Sequence, residues 1–260
     1  MRTFLRCYKL REIERVAFVT GGSGDIGGAI ARALATAGAD VAISYVGQLA
    51  AAATTVDALR ATGRHSLAVQ LDQRDAAAIA AAVARVVTAL GRVDILVNNA
   101  AWNIGIPFTD LDTLTAEIWD RVLETNLRGP YLLARACAPH LRAHGAGRIV
   151  NIASLGGLYP VSSSIAYSAS KADVIHLTRC LAVALAPDVT VNCIAPGLVE
   201  GTRMAQRMPE EVAEMERAQA VLGQVASIED IAAQVVMFCR AESITGQVLV
   251  IDGGIPGGMR

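Results

Sequence analysis

Short apolar runs alternate with alanine-rich stretches of helical period along most of this chain. VAFVT (16–20) is a compact apolar run and predicts a strand. Asp25 to Ala37 follows, with Ile26, Ile30 and Leu34 four apart on one helix face. The same reading predicts strands at 40–45, 65–71, 93–98, 148–153, 189–195 and 247–252. Between them it predicts a helix ending near Thr62 and others at 76–90, 115–144, 164–186 and 228–240. Gly129-Pro130 is expected to disturb the long one. The strands are nearly continuous apolar runs, as a sheet covered by helices on both faces requires. Strand alternating with helix implies right-handed crossovers and a doubly wound, mostly parallel sheet of seven strands, in the α/β class.

No linker or repeat breaks the pattern, so one domain is expected over 15–260, preceded by a short extension, 1–14. The alternation is weakest between Gly197 and Gly223, where PEEVAEMERAQAV lies between two glycine-containing joints. Residues 198–223 read either as a substrate lid or as an ordinary surface helix.

Composition narrows the partners. Of 260 residues, 53% are hydrophobic and 18% charged, enough for a large interior. A net charge of −1 points away from nucleic acid. No apolar run reaches the roughly 18 residues that span a bilayer. The opening MRTFLRCYKLREIER lacks the long apolar stretch of a secretory leader. No membrane partner is expected. The cysteines at 7, 137, 180, 193 and 239 are odd in number and show no CxxC spacing. They read as reduced thiols, hence a cytoplasmic location. Cys137, His140 and His144 could offer metal ligands from one helix, but histidines near a helix end are favoured by the macrodipole alone, and no metal is expected.

Directly after the first predicted strand stands Thr20-Gly21-Gly22-Ser23-Gly24-Asp25-Ile26-Gly27. Glycines there let the backbone turn tightly and approach a pyrophosphate, and the following helix presents its N-terminus to the negative charge. Gly22, Gly24 and Gly27, placed between strand and helix, predict a dinucleotide site on a Rossmann fold. Further on, Tyr167 and Lys171 lie four apart on one predicted helix face, and Ser154 follows the fifth predicted strand. Carbonyl reduction needs a proton donor for the oxygen. A free tyrosine has a pKa of about 10; a nearby ammonium favours the phenolate, and a serine hydroxyl can stabilise charge on the substrate oxygen.

With these motifs in order, the chain resembles the short-chain dehydrogenase/reductase family, including its 3-oxoacyl reductases, from about Val16 to Gly254. Residues 20–27 resemble TGxxxGxG with Asp25 in place of the middle glycine; the side chain could narrow the approach to the pyrophosphate or cap the helix. Asn98-Asn99-Ala100 resembles NNAG, with Ala101 where glycine is usual. Asn126, Ser154, Tyr167 and Lys171 match the catalytic tetrad, in which the asparagine helps hold a water in a proton relay through the lysine. The resemblance implies an NAD(P)(H)-dependent enzyme interconverting a ketone and a secondary alcohol. It implies cofactor contacts at Gly21, Ser23, Gly24, Asp25, Ile26, Ser44, Tyr45, Asp72, Asn99, Ala100, Tyr167, Lys171, Pro196, Gly197 and Thr202. It also implies a homotetramer built on the two long helices and the last strand.

Trp102 either lines the substrate pocket or covers the sheet edge; Leu155, Leu158, Tyr159 and Val161 are expected to form another wall. The second strand ends Ser44-Tyr45-Val46-Gly47-Gln48, without the acidic residue that hydrogen-bonds a ribose 2′-hydroxyl and repels a 2′-phosphate. NADP(H) is therefore expected to be favoured over NAD(H), although no arginine or lysine stands in the turn or directly after the strand. The alternative is an inactive nucleotide-sensing or scaffold protein on the same fold; such a protein has no need of Ser154, Tyr167 and Lys171 together.

Overall fold

The computed structural model describes residues 15–160, 162–207 and 210–256. The predicted extension 1–14 with its Cys7, and the wall residue Val161, lie outside the described residues. Seven strands, β1 (Val16–Val19), β2 (Asp40–Tyr45), β3 (Ser66–Gln70), β4 (Ile95–Asn98), β5 (Gly147–Ile152), β6 (Val189–Pro196) and β7 (Val248–Ile251), form one sheet. Their order is β3-β2-β1-β4-β5-β6-β7. Every neighbouring pair is parallel, which sharpens the mostly parallel expectation.

Side-chain alternation sorts the strands onto two cores. Ala17 and Val19 face α1 (Asp25–Thr36), α2 (Leu49–Arg60) and α8 (Ile228–Arg240), against Ile30, Leu34, Leu59 and Val235. Val16 and Phe18 face α3 (Ala76–Leu90), α5 (Gly129–Arg142) and α6 (Ile165–Leu185), against Val86, Leu133, Cys137 and Leu185. Each leucine so buried contributes about 1.5–3 kcal/mol relative to exposure. β1 sits at the topological switch, with β2 on one side and β4 on the other. A crevice opens there beyond the carboxyl ends of the strands.

The long helix predicted over 115–144 is broken earlier than Gly129-Pro130 itself. α4 (Ala116–Leu123) passes into a π turn, Glu124–Arg128, before α5 resumes. Pro130 has no N–H, so the carbonyls one turn before it lose a donor. The ladder widens: the Gly129 N–H reaches the Glu124 carbonyl. The Thr125 carbonyl accepts instead from Gln73 Nε2 at 2.7 Å. This bulge brings Asn126 into the interior, 1% exposed. Cys137 belongs to the core whereas His144 is exposed beyond the end of α5, so the Cys137, His140 and His144 set is not gathered at one point. Among the described residues no helix is long and apolar enough to cross a membrane.

Candidate active site

A cleft of about 840 Å³ runs along the carboxyl ends of the strands. At one end stands the glycine turn. Gly21 has φ +65°, and a β-carbon there would lie 3.0 Å from the Ala100 backbone. Its N–H donates to Ser44 Oγ at 3.2 Å, and Gly22 N donates to the Ser44 carbonyl at 3.0 Å. Ser44 is buried, so β2 holds the turn through this residue. Thr20 Oγ1 accepts from both Asn99 N and Ala100 N at 3.0 Å, and Asn99 Nδ2 donates to the Thr20 carbonyl at 2.9 Å. β4 thus clamps the other side. Asn98 Nδ2 donates to Asn151 Oδ1 at 2.9 Å, and Asn151 Nδ2 to Thr178 Oγ1 at 2.9 Å, tying β4, β5 and α6.

The turn fits a dinucleotide pyrophosphate. α1 starts at Asp25 with Gly24 as its N-cap, and no side chain caps it. Its first-turn N–H groups sit on the cleft wall, which Ser23, Gly24, Asp25, Ile26 and Gly27 all line. Capping by Asp25, one of the two roles the sequence allowed, is therefore corrected. Asp25 is itself the first helical residue, and its carboxylate turns outward to accept from Arg203. No described non-glycine residue has positive φ, so neither Asp25 nor Ala101 strains the backbone by replacing glycine.

Deeper in the cleft, Ser154 ends the β5 extension and caps a short 3-10 turn, Leu155–Gly157, by accepting from Gly156 N at 3.2 Å. α6 starts on Ser164, whose hydroxyl accepts from Tyr167 N at 3.2 Å. Its first turns carry Tyr167 and Lys171 to the same wall. Burial pushes the Tyr167 phenol up to about 12, with the Ser154 side chain pulling weakly the other way. Lys171 is 3% exposed, donates from Nζ to the Ile152 carbonyl at 2.8 Å, and stands 5.5 Å from the Tyr167 ring centre. Burial pushes the amine down to about 8. Asn126 Oδ1 accepts from Trp102 N at 2.8 Å; its Nδ2 donates to the Trp102 carbonyl at 3.0 Å and to Ser170 Oγ at 3.1 Å.

The depressed amine has a measurable consequence. The folded chain releases the Lys171 proton near pH 8, whereas the unfolded chain keeps it up to the ordinary value of 10.5. Stability rises with pH wherever the unfolded state holds more protons. Wild type should therefore gain on Lys171→Met as pH rises from about 8 to 10.5, with no such trend below that window. Chemical denaturation of both proteins across this range checks it; a constant gap would contradict the burial of the amine.

The remaining predicted residues divide. Tyr45, Asp72, Pro196, Gly197, Thr202, Trp102 and Leu155 line the cleft. Asp72 is held by Arg74 through a 2.6 Å ion pair, which keeps its carboxyl below the ordinary value. Thr202 is buried; its hydroxyl donates to the Val199 carbonyl at 2.9 Å and accepts from Ala205 N at 3.2 Å, leaving one lone pair for a ligand. Trp102 is on the cleft side, with the Arg121 guanidinium 4.1 Å from its ring centre. Tyr159 is not among the lining residues, and neither is Leu158. The 3-10 turn reverses the chain there, with Tyr159 N donating back to the Leu155 carbonyl, and the wall is completed by Ser162 and Ser163 instead. Sequence reasoning did not single out Arg74, Asn103, Arg121 or Arg203, whereas Met204, Val212 and Glu216 fall in the 198–223 segment read as a lid or surface helix. Arg74 was within reach of inspection, two residues after Asp72; Arg203 carried no local signal.

Residues 15–213 match the family model of short chain dehydrogenases. The chain is 36% identical over 244 residues to a cis-4-hydroxycyclohexanecarboxylate dehydrogenase of Sinomonas cyclohexanicum, covering 93% of this chain and 96% of that one. It is 34% identical over 248 residues to a 3-oxoacyl-(acyl-carrier-protein) reductase of Staphylococcus aureus, covering 94% and 99%. A short chain dehydrogenase from Burkholderia cenocepacia, solved in complex with NADP, superposes with a TM-score of 0.86 at 38% identity, covering 95% and 99%. The protein belongs to the short-chain dehydrogenase/reductase family, oxidoreductases that use NAD(P)(H), and is similar to its 3-oxoacyl reductases.

Proposed function

We propose that this protein interconverts a ketone and a secondary alcohol, with Tyr167 as the group that gives and takes the proton at the substrate oxygen. The observation that carries the reading is the meeting of Ser154, Tyr167 and the buried Lys171 amine in the cleft that begins at the glycine turn. A nicotinamide dinucleotide, bound, supplies the hydride. Ser154 fixes the substrate oxygen and stabilises charge there. Tyr167 donates to that oxygen, and Lys171 holds positive charge behind the forming phenolate. A cationic amine is costly to keep 3% exposed, which favours a catalytic use over an inactive scaffold. Asn126 acts as a positioning residue, its side chain committed to Trp102 and Ser170; Pro130 has no N–H to give its carbonyl, which makes that oxygen the contact point for a proton relay.

The glycine turn and Asn99-Ala100 would hold the pyrophosphate side of the dinucleotide, Tyr45 and Asp72 the adenosine side, and Pro196, Gly197 and Thr202 the nicotinamide. The free lone pair of Thr202 suits a carboxamide N–H. NADP(H) is favoured over NAD(H): β2 ends without a carboxylate, Arg203, with Nη2 uncommitted among the described residues, lines the cleft beside that end, and the Burkholderia cenocepacia relative was solved with NADP. Residues 198–223 serve as a lid, since Met204, Val212 and Glu216 close one side of the cleft, with α7 (Glu210–Gln219) as its helical part. The substrate is a small carbonyl compound or alcohol, of the kind for which the Sinomonas cyclohexanicum relative is named. The cysteines seen here, Cys137, Cys180, Cys193 and Cys239, are free thiols, which suits a cytoplasmic location.

Leu123, Leu127, Tyr131 and Leu177 line a groove on the faces of α4, α5 and α6, and Tyr131 is 44% exposed. Covering this groove supports the homotetramer. Light scattering should give the mass of four chains; a stable monomer at working concentration would contradict the assembly.

The function is tested by following reduced-cofactor absorbance over a panel of ketones and secondary alcohols with NADP(H) and NAD(H). Turnover with higher kcat/KM for NADP(H) is expected. Tight dinucleotide binding without turnover on any compound would return the protein to the scaffold reading.

A further inference from the structure

Arg203 stands 178 residues from the glycine turn in sequence and against it in space. Its backbone N–H and its Nε both donate to Asp25 Oδ2, at 2.8 and 3.3 Å. Its Nη1 donates to Gln48 Oε1 at 3.1 Å. Asp25 opens α1, and Gln48 is the N-cap of α2 just past the end of β2. The guanidinium therefore straps the two lips of the cleft together, on the side where β2 ends. Its Nη2 lies 3.7 Å from the point where a β-carbon on Gly24 would stand. The hydrogen bonds among the described residues leave that nitrogen without an acceptor, and the side chain is 49% exposed.

The charges explain why this strap matters. A carboxylate in the first turn of α1 is favourable for the bare helix but competes with any phosphate brought to the same N–H groups. Asp25 puts one there. Paired with Arg203, that carboxylate is neutralised, and the arginine retains a donor directed along the turn. We propose that Arg203 is a phosphate ligand of the bound dinucleotide, held in place by Asp25 and Gln48, and that it offsets the carboxylate standing at position 25. The proposal rests on the dinucleotide reading above. A phosphate oxygen is the shared chemistry, and it can come from the pyrophosphate or from a 2′-phosphate.

Calorimetric dissociation constants for NADPH, NADH, ADP and 2′,5′-ADP test this without reference to turnover. Arg203→Gln is expected to weaken NADPH binding at least about tenfold, the loss of one charge-assisted hydrogen bond plus an unmasked carboxylate. Arg203→Lys should recover part of the loss. Adding Asp25→Gly to Arg203→Gln should also recover affinity, because the repulsion disappears with its source, so the two substitutions are non-additive. A loss shared by ADP assigns the pyrophosphate; a loss confined to NADPH and 2′,5′-ADP assigns the 2′-phosphate. Either supports the proposal. Unchanged constants for all four ligands in Arg203→Gln, in a variant that melts like wild type, would overturn it. Wild type that binds none of the four would overturn the dinucleotide reading itself, a result distinct from a silent substitution.

Discussion

Tyr167→Phe should lose at least about a hundredfold of turnover, the usual contribution of a positioned acid or base, while binding the dinucleotide nearly as tightly as wild type. The ring keeps its place in the first turns of α6, because that helix is set by the Ser164 cap and by Val174, Thr178 and Leu181 on its buried face. Only the hydroxyl goes, on the side of the cleft it shares with Ser154. The geometry bears on the role proposed for Lys171. Its amine is bonded to the Ile152 carbonyl and lies 5.5 Å from the Tyr167 ring centre, and burial rather than the amine dominates the phenol. Burial thus favours the protonated phenol, the form the proposed reduction uses. Alcohol oxidation, which needs the phenolate, should accelerate toward alkaline pH. Near wild-type turnover in Tyr167→Phe would remove the tyrosine from the chemistry.

Gly27→Ala should weaken dinucleotide binding more than tenfold and lower stability by about 1–3 kcal/mol, the cost of overpacking a tight site. A β-carbon there would lie 2.4 Å from the Gly21 carbonyl oxygen and 2.5 Å from Asn99 Nδ2. Neither neighbour can yield cheaply. The oxygen accepts from Gly24 N at 3.0 Å, and the amide donates to the Thr20 carbonyl at 2.9 Å. The turn must open, and it is the turn proposed to meet the phosphates. Gly105→Ala is the control: nothing stands within 4 Å of a β-carbon at that position, and the residue is not part of the cleft lining. It should bind and melt as wild type does. Equal behaviour of the two variants in calorimetry and thermal melts would count against the turn as the binding element.

The fold was legible because its strands are buried on both faces. A run such as VAFV (16–19) carries no polar face and fits little else than a covered parallel sheet. The local parts of the site were legible for a similar reason: the glycine turn, Tyr167 and Lys171 each depend on near neighbours in sequence. What escaped depends on distance or on competition for hydrogen bonds. The Asp25–Arg203 pair joins elements 178 residues apart, and nothing near either residue announces it. Tyr159 was expected in the cleft, but the turn before it reverses the chain. The break in the long helix falls before Pro130, because the missing donor is felt by carbonyls one turn back, and Gln73 from another part of the chain takes one of them.

The most direct test of the account is the fate of one hydrogen. Reduced dinucleotide carrying deuterium at both C4 positions of the nicotinamide should deliver one deuterium to the carbinol carbon of the product alcohol, read by mass spectrometry. Wild type should label the product, and Tyr167→Phe should form it at least about a hundredfold more slowly with the label unchanged. Product formed without deuterium, or a dinucleotide that binds and never gives up its label to any ketone, would contradict it.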